Sequence, residues 1–188
     1  QKIIKTNEGK LFVGDKNEIW RLLSYIPGEA YNRIPDKNIA YEASKILGRF
    51  HRALEDLDYK FQHHRLLHHD SEKLFELFLN AIPENTNPQM ENLKNAILGL
   101  PKLFLPKNLR KTITHGDPKI SNIIFQNGKA AALIDLDDVG KNHNVLIELG
   151  DAMRSWCSSS DDDQNNIFNL PWFEAALSGY KEGSNDFL

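Results

Sequence analysis

The segment THGDPKISNIIF, from Thr114 to Phe125, carries the most informative pattern in this sequence. It places Asp117 and Asn122 five residues apart on a loop that leads from one short strand into another. A carboxylate can accept the proton of a hydroxyl group that attacks phosphorus, and an amide oxygen can bind Mg²⁺. The spacing therefore indicates a phosphoryl-transfer loop, with Asp117 as the catalytic base and Asn122 as a metal ligand.

A β-hairpin is predicted directly after this loop. Asn127-Gly128 lies between two apolar runs, which is the strongest short signal for a two-residue hairpin turn, and the second run ends in Ile134-Asp135-Leu136-Asp137. Because the turn folds the chain back, Asn122 and Asp135 can face one site across paired strands. We predict Asp135 as a metal ligand. Asp137 is either a ligand of a second metal ion or an exposed carboxylate at the strand end.

An ordinary turn is the simplest alternative explanation of His115-Gly116-Asp117, with the Asp capping a backbone donor and the Gly adopting positive φ. If that explanation were correct, the spacing of Asn122 from Asp117, the hairpin that follows and the acidic residues at the end of its second strand would all be coincidences. We therefore favour the phosphoryl-transfer interpretation. His115 is interpreted as a structural residue whose ring bonds nearby backbone, rather than as an acid or base.

The patterns on either side predict a mainly helical α+β fold. Residues 2–6 and 10–13 are predicted to pair as a hairpin, and a third strand, Glu18 to Ile26, ends at Pro27-Gly28. Asp36 is the predicted N-cap of a long core helix. Its apolar stripe comprises Ile39, Ala43, Ile46, Leu47, Phe50 and Leu54.

Four further helices are predicted, two on each side of a short strand at Thr112 to Thr114 and the hairpin. The first two begin near Asp70 or Ser71 and after Asn87-Pro88, and the last begins at Pro171. The residues predicted to face inward are Leu74, Phe78 and Ala81, then Met90, Leu93 and Ile97, and finally Leu146, Leu149, Met153 and Trp156.

Composition excludes several classes of partner. The net charge of −3 with mixed signs gives no basic surface for nucleic acid. No apolar run reaches the roughly 20 residues that cross a bilayer, so we expect no membrane span. A single cysteine, Cys157, and the lack of a secretory signal pattern predict a cytoplasmic protein.

These motifs resemble those of the aminoglycoside phosphotransferase and choline kinase superfamily, whose fold is like that of protein kinases. Its loop reads HGDxxxxN and is followed by a hairpin and an IDxD-like strand, as here between Thr114 and Asp137. Protein kinases share the Asp-to-Asn spacing. The resemblance spans roughly Glu18 to Trp156. Its closest match is the N-acetylhexosamine 1-kinase branch, through Trp20-Arg21, Asp117-Pro118-Lys119, Ser121-Asn122 and Glu148 to Arg154. Many members have histidine where this chain has Lys119, which leaves the substrate class open.

The resemblance implies ATP and Mg²⁺ as cofactors and a hydroxyl group of a small molecule, a sugar or amino sugar, as the acceptor. It implies that residues 28–188 form the C-terminal catalytic lobe. Residues 1–27 would be a remnant of the N-terminal lobe and hinge, where the backbone of Tyr25 and Ile26 would bond adenine. Lys119, Asp151 and Arg154 are predicted to bind substrate, although Asp151 and Arg154 could equally form a plain i,i+3 surface pair.

The resemblance also implies that parts of a complete kinase are missing. The sequence contains no paired-glycine loop that could cover the phosphates, and no lysine suited to hold them. We therefore expect this chain to be a fragment that is inactive alone. We also expect that it could self-associate through an apolar face left by the missing lobe.

Two competing functions belong to other classes. His63, His64, His68 and His69 with Asp70 could form the site of a metal-dependent phosphohydrolase, or they could lie in a solvent-exposed loop. The chain could instead be a non-catalytic binding module derived from a kinase. The presence of all three predicted site residues, Asp117, Asn122 and Asp135, argues against such a module.

Overall fold

The structure is a computed structural model that describes residues 1–15, 18–62, 67, 69–83, 87–159 and 166–185. Its five helices within these ranges are α1 (Lys37–Ala53), α2 (Ser71–Ala81), α3 (Pro88–Leu98), α4 (Val145–Trp156) and α5 (Leu170–Ser184). Short antiparallel strands complete the structure, which agrees with the predicted α+β class. Among the described helices, none is both long and apolar enough to cross a membrane.

The strands form four separate two-stranded antiparallel sheets within the described residues. Two involve the N-terminal segment, where β1 (Ile3–Ile4) pairs with β4 (Leu22–Leu23) and β2 (Val13–Asp15) pairs with β3 (Glu18–Trp20). The other two are β5 (Thr112–Thr114) with β8 (Gly140–His143), and β6 (Ile123–Gln126) with β7 (Lys129–Leu133). The loop between β5 and β6, residues 115–122, is called the HGD loop below.

The core is built on the long helix α1. The Asp36 side chain caps this helix by accepting hydrogen bonds from the backbone N–H groups of Asn38 and Ile39, at 2.8 and 2.9 Å, as predicted. Helix α5 packs closely along α1, and α4 completes the apolar interior. The buried core residues on these helices are Ile39, Ala40, Ala43, Leu47, Val145, Leu149, Ala152, Met153, Trp156, Ala176 and Tyr180.

Helices α1 and α5 approach so closely that their backbones are almost in contact. A Cβ atom added at Gly179 would lie 2.0 Å from the Tyr41 carbonyl oxygen, and one at Gly183 would lie 2.0 Å from that of Lys45. Gly48 on α1 makes the reciprocal approach, since a Cβ atom added there would lie 2.7 Å from the Tyr180 carbonyl oxygen. Glycine at these three positions therefore permits the helices to pack without a layer of side chains between them.

The predicted hairpin is confirmed as β6 and β7. Asn127 and Gly128 both have positive φ, 50° and 73°, as a type I′ turn requires. The hairpin is held on α1, because Asn38 Nδ2 donates to the Gly128 carbonyl oxygen at 3.0 Å and the Ala130 N–H donates to Glu42 at 3.3 Å. The β6–β7 hairpin therefore rests on α1.

Two parts of the secondary-structure prediction were wrong. Residues 2–6 and 10–13 do not pair as two strands, although the Thr6 N–H donates to the Lys10 carbonyl oxygen at 2.9 Å. A turn does form there, in which Gly9 N–H donates to the Thr6 carbonyl oxygen at 2.9 Å, but β1 pairs with β4 instead. The predicted third strand is interrupted at Arg21, and its two halves pair with different strands.

Burial on the middle helices also differs from the prediction. Helices α2 and α3 begin at the predicted caps, Asp70 and Asn87, but neither contains a buried residue. Of the residues predicted to face inward, Leu74, Ala81, Met90 and Leu93 are exposed, as is Leu146 on α4. The apolar stripes of α2 and α3 are only partly covered: Phe78 and Ile97 are half-buried, and Phe75 packs edge-on against Phe104.

Candidate functional site

His115 fixes the start of the HGD loop. Its ring is fully buried, and its Nε2 lies 2.9 Å from the Ile134 carbonyl oxygen. Because a carbonyl only accepts, Nε2 carries the proton, and Nδ1 accepts the Asp117 N–H at 3.4 Å. His115 thus joins the loop to the end of β7 through backbone contacts, which confirms its interpretation as a structural residue.

Gly116 permits the sharp turn that presents Asp117. Its φ is +88°, and an added Cβ would lie 2.4 Å from the Asp138 carbonyl oxygen. A side chain here would meet both an unfavourable backbone conformation and a rigid neighbour. The glycine of the motif is therefore explained by a close approach between the HGD loop and the segment after Asp135.

Asp117 and Asn122 lie together, as the spacing predicts. Asn122 Nδ2 donates to the Asp117 backbone carbonyl at 2.9 Å and lies 3.3 Å from the carboxylate oxygen Oδ2. Asn122 is buried and Asp117 is half-buried. Because both contacts use Nδ2, the amide oxygen lies at the opposite end of the group, away from Asp117.

Asp135 is brought beside this pair by the hairpin. The Ile134 N–H donates to the Asn122 carbonyl oxygen at 2.9 Å, so the residue that precedes Asp135 is bonded directly to Asn122. Asp135 itself has left-handed backbone angles, φ 62° and ψ 59°. Aspartate is one of the few non-glycine residues that adopt this conformation. The chain turns sharply here, and Asp135 is exposed.

Lys119 lies against the predicted base. Its Nζ is 2.5 Å from Asp117 Oδ2, and its side chain is about half exposed. The hydrogen bond to Asp117 raises the pKa of Lys119; burial opposes this effect, and the negative charges of Asp117, Asp135 and Asp138 add to it. The ammonium group therefore sits within the field of all three carboxylates.

Asp137 has a different partner from the other predicted metal ligands. Its carboxylate forms an ion pair with the guanidinium group of Arg21, between β3 and β4, and both side chains are exposed. This contact connects the N-terminal strands to the turn at residues 135–138. A role for Asp137 in binding a second metal ion stays a prediction.

Asp151 and Arg154 form the i,i+3 pair that the sequence left open, with Arg154 Nη2 3.1 Å from Asp151 Oδ1. The other oxygen of Asp151 lies 3.8 Å from His69 Nε2. Both residues project from the exposed side of α4. Their role in binding substrate stays a prediction.

The predicted hinge is attached to β6. Gln126 Nε2 donates to the Pro27 carbonyl oxygen at 2.6 Å, and Glu29 and Phe125 exchange two backbone hydrogen bonds of 2.9 and 2.8 Å. Tyr25 is 83 % exposed just before this attachment, and Ile26 is half-buried. Adenine binding by their backbone stays a prediction.

A buried polar network beneath the HGD loop was missed by the sequence interpretation. Glu148 on α4 accepts the Gly116 N–H at 2.6 Å through Oε1, and its Oε2 lies 2.5 Å from His51 Nε2. His51 Nδ1 in turn lies 2.9 Å from the Tyr180 hydroxyl group. One carboxylate thus connects the loop to α1 and, through His51, to α5.

Electrostatics favour the ionised form of Glu148. Burial alone would raise the pKa of Glu148, but the hydrogen bond from His51 and the backbone N–H groups of Gly116 and His115 outweigh it and lower the pKa. Burial and the charge of Glu148 raise the pKa of Tyr180, which stays protonated. The network holds a charged carboxylate under the loop.

The sequence did contain a signal for this network. His51 lies four residues after Leu47 in the apolar stripe of α1, and Glu148 lies beside Leu149 among the buried positions of α4. A polar residue at a core position of an amphipathic helix requires a buried partner. That rule predicts that His51 and Glu148 each have a buried polar partner, but it does not show that they are partners of each other.

The alternative histidine site is described only in part. His63, His64 and His68 lie outside the described residues. Asp70 caps α2 by accepting the Lys73 N–H at 3.0 Å, as its sequence position predicts. Within the described residues, no group of three or more His, Cys, Asp or Glu side chains is arranged to hold a metal ion.

Comparison with known proteins identifies the family. The sequence model of the phosphotransferase enzyme family (APH) matches residues 4–182, which is nearly the whole chain. A search of curated proteins found no match to this chain. The match agrees with the HGD loop, the hairpin and the arrangement of Asp117 and Asn122. The chain belongs to the phosphotransferase enzyme family.

Proposed function

We propose that this chain carries the catalytic centre of an ATP-dependent kinase that phosphorylates a hydroxyl group of a small molecule, a sugar or amino sugar. One observation carries the proposal: the Asn122 amide bonds the Asp117 carboxylate while the Asn122 backbone is paired with the residue before Asp135. In this proposal, the base Asp117 and the two oxygen ligands of Mg²⁺, Asn122 and Asp135, belong to one site. Phosphoryl transfer requires that combination.

The residues fit the cofactors that phosphotransferases of this family typically use, ATP and Mg²⁺. The Asn122 amide oxygen and the Asp135 carboxylate are hard oxygen donors of the kind that Mg²⁺ prefers. When bound, Mg²⁺ would neutralise negative charge on the phosphates of ATP. Asp117 would orient the acceptor hydroxyl and take its proton, and Asn122 would hold the Asp117 carboxylate in position.

The proposal extends to the organisation of the chain. We assign residues 28–188 to the catalytic lobe and residues 1–27 to the N-terminal lobe and hinge. The attachment of Pro27 and Glu29 to β6 supports a boundary at this point, because it fixes the linker to the hairpin that carries the site. The ion pair between Arg21 and Asp137 is a second contact across the proposed boundary.

The acceptor class is proposed from a sequence resemblance and from one pair of side chains on α4. The pattern around Asp117-Pro118-Lys119 and Glu148 to Arg154 is most similar to the N-acetylhexosamine 1-kinase branch. The Asp151–Arg154 pair is the kind of group that hydrogen-bonds sugar hydroxyls, because it offers both acceptors and donors. We therefore propose an N-acetylated amino sugar as the first acceptor to test.

The first experiment is a thermal-shift measurement with ATP, with and without Mg²⁺, and with the chelator EDTA as the control. At a ligand concentration of 100 times Kd, binding stabilises the folded state by about 2.7 kcal/mol, which is a shift of several degrees. We expect the shift to require Mg²⁺. Transfer of labelled phosphate from ATP to a panel of sugars and amino sugars then identifies the acceptor.

The outcomes of this experiment separate the alternatives. A nucleotide shift that is identical with EDTA would argue against the metal ligands, and no shift at all would favour a binding module that has lost its nucleotide. A shift with Mg²⁺ but no labelled product would support the nucleotide and metal site and would agree with the expectation that this chain is inactive alone.

A further inference from the structure

A cleft of about 680 Å³ lies between the start of α2, the segment after α3 and one side of α4. It is called the α2–α4 cleft below. Sites for small molecules commonly have volumes of about 300–1,000 Å³ and mainly apolar walls. The apolar walls here are formed by Leu103, Phe104, Leu105 and Pro106 after α3, and by Leu146 and Ile147 on α4. The cleft therefore has the size and the lining of a small-molecule site.

The α2–α4 cleft lies away from the HGD loop. Glu148 faces that loop and accepts a backbone N–H from it at 2.6 Å, whereas Leu146 and Gly150 line the cleft. Two residues along an α-helix correspond to about 200° of rotation, so the cleft is on the opposite side of α4 from Glu148. The residue of β8 that lines the cleft, His143, pairs with Thr112 at the start of β5, and the HGD loop follows the end of β5.

Gly150 is a helix-interior glycine that packing does not explain. Glycine destabilises the middle of a helix relative to alanine. Gly48, Gly179 and Gly183 are explained by close backbone approaches, because an added Cβ atom would lie 2.7, 2.0 and 2.0 Å from a carbonyl oxygen or a backbone nitrogen of the other helix. A Cβ atom added at Gly150 would meet no other part of the described chain within 4 Å. The missing side chain instead leaves room in the cleft, beside the backbone of α4.

Aromatic rings line the same cleft. The rings of His69 and His143 stand edge to face, with their centroids 5.6 Å apart, and Phe104 lies on the apolar wall. Phe104 is held in place by an edge-on contact with Phe75 at 5.8 Å. Aromatic side chains pack favourably against the faces and edges of other aromatic rings. The lining therefore suits a flat aromatic ligand.

The charged residues of the cleft leave one cation without a partner. Asp70 accepts the Lys73 N–H at 3.0 Å as the cap of α2, and Glu72 forms an ion pair of 2.8 Å with Lys107. Lys111 is exposed at the cleft and forms no ion pair within the described residues. An ammonium group forms its strongest hydrogen bonds with anionic acceptors. The lining therefore favours a ligand that carries one negative charge.

We propose that the α2–α4 cleft is a second ligand site, separate from the phosphotransfer site, for a small aromatic molecule with one anionic group. The aromatic body packs against Phe104 and the backbone at Gly150, and the anionic group pairs with Lys111. The inference goes beyond the proposed function and does not rest on it, because the site uses no residue of the HGD loop.

The test measures the binding of two dyes to the full chain and needs no enzymatic activity. The first, 8-anilinonaphthalene-1-sulfonate, is an aromatic anion that reports apolar surface by fluorescence. The second, N-phenyl-1-naphthylamine, has the same rings without the sulfonate group. Gly150→Leu fills the cleft and has Gly150→Ala as its matched control. Lys111→Met removes the cation and has Lys129→Met as its control, because Lys129 is exposed on β7 and does not line the cleft.

We expect Gly150→Leu to weaken the binding of both dyes by at least about tenfold, and Gly150→Ala by less than about twofold. Lys111→Met should weaken binding of the anionic dye by up to about fivefold, the range of an exposed ion pair, and leave the neutral dye unchanged. Lys129→Met should change neither. Leucine and alanine both form helices better than glycine, so Gly150→Leu and Gly150→Ala should both raise Tm.

Circular dichroism confirms that each variant is folded, and Gly150→Met replaces Gly150→Leu if that variant is not. Several results would overturn the inference. Equal dye binding by Gly150→Leu and Gly150→Ala, or none by the unmodified chain, would mean that the cleft is not a ligand site. A lower Tm for Gly150→Leu would show that the position is not open. Equal effects of Lys111→Met and Lys129→Met would contradict the anionic group.

Two further measurements test other occupants of the cleft. Displacement of the dye by N-acetylglucosamine would assign the cleft to the acceptor, and a dimer that Gly150→Leu converts to a monomer would assign it to a second copy of the chain. Either result would overturn the inference. We expect no displacement by the sugar and the same elution volume for both proteins in size-exclusion chromatography.

Discussion

Replacement of Asp117 by alanine is expected to lower the turnover of phosphate transfer by about 10²- to 10⁴-fold, the usual contribution of a general base. The variant removes the carboxylate that would take the acceptor proton, but it leaves the Asn122 amide and the Asp135 carboxylate in place. We therefore expect kcat to fall while the affinity for Mg²⁺–ATP changes little. The measurement is a steady-state phosphotransfer assay of a catalytically active preparation. Its acceptor is the compound that the labelled-phosphate panel selects.

The controls for Asp117 separate chemistry from folding. Asp117→Asn keeps the shape of the side chain and should lose a similar amount of turnover, since an amide cannot accept the proton. Asp58→Ala removes an exposed carboxylate in the turn region after α1 and should retain the original rate. If Asp117→Ala and Asp58→Ala show the same turnover, another group is the base.

Replacement of Glu148 by alanine is expected to destabilise the folded chain by about 2–6 kcal/mol, because two buried donors lose their acceptor and each costs about 1–3 kcal/mol when left unpaired. The Gly116 N–H and the His51 Nε2 would lose their acceptor in a region that excludes water. Urea unfolding followed by circular dichroism measures the change. Glu174→Ala is the matched control, because Glu174 is an exposed carboxylate on a helix and should change stability by less than about 0.5 kcal/mol.

The same network predicts a dependence on pH. The pKa of Glu148 is lower in the folded chain than its usual value of 4.5, so its contribution to stability is fully present above pH 4.5 and is lost as pH falls through the lowered value. Glu148→Gln cannot titrate, and its stability should therefore fall less steeply below pH 4.5. Parallel curves for the two proteins would show that Glu148 is not ionised in the folded state.

The parts of the fold that the sequence predicted are those with local signals. The Asn127-Gly128 turn, the caps at Asp36, Asp70 and Asn87, and the spacing of Asp117 and Asn122 are each decided within a few residues. Such features depend on the local sequence and form without help from distant residues. The juxtaposition of Asp135 with Asn122 followed from the hairpin by the same reasoning.

The parts that could not be predicted depend on distant partners. Nothing near residues 2–6 indicates that β1 pairs with β4 rather than with its neighbour, because short strands of similar composition can pair in several ways. An apolar stripe likewise shows which face of α2 would be buried, but not whether another element covers it. Glu148 and His51 are separated by 97 residues, so only the fold reveals their contact.

The glycine-lined crossing of α1 and α5 has a consequence for how the molecule opens. Helices in direct backbone contact cannot slide apart by a change of side-chain rotamer, so their amide protons can exchange with solvent only when the two helices separate as a unit. Helices α2 and α3, with no buried residues, can open one turn at a time. Hydrogen exchange should therefore be slowest in α1 and α5. Because Tyr180 and His51 link that pair to Glu148, the HGD loop rests on the last part of the chain to open.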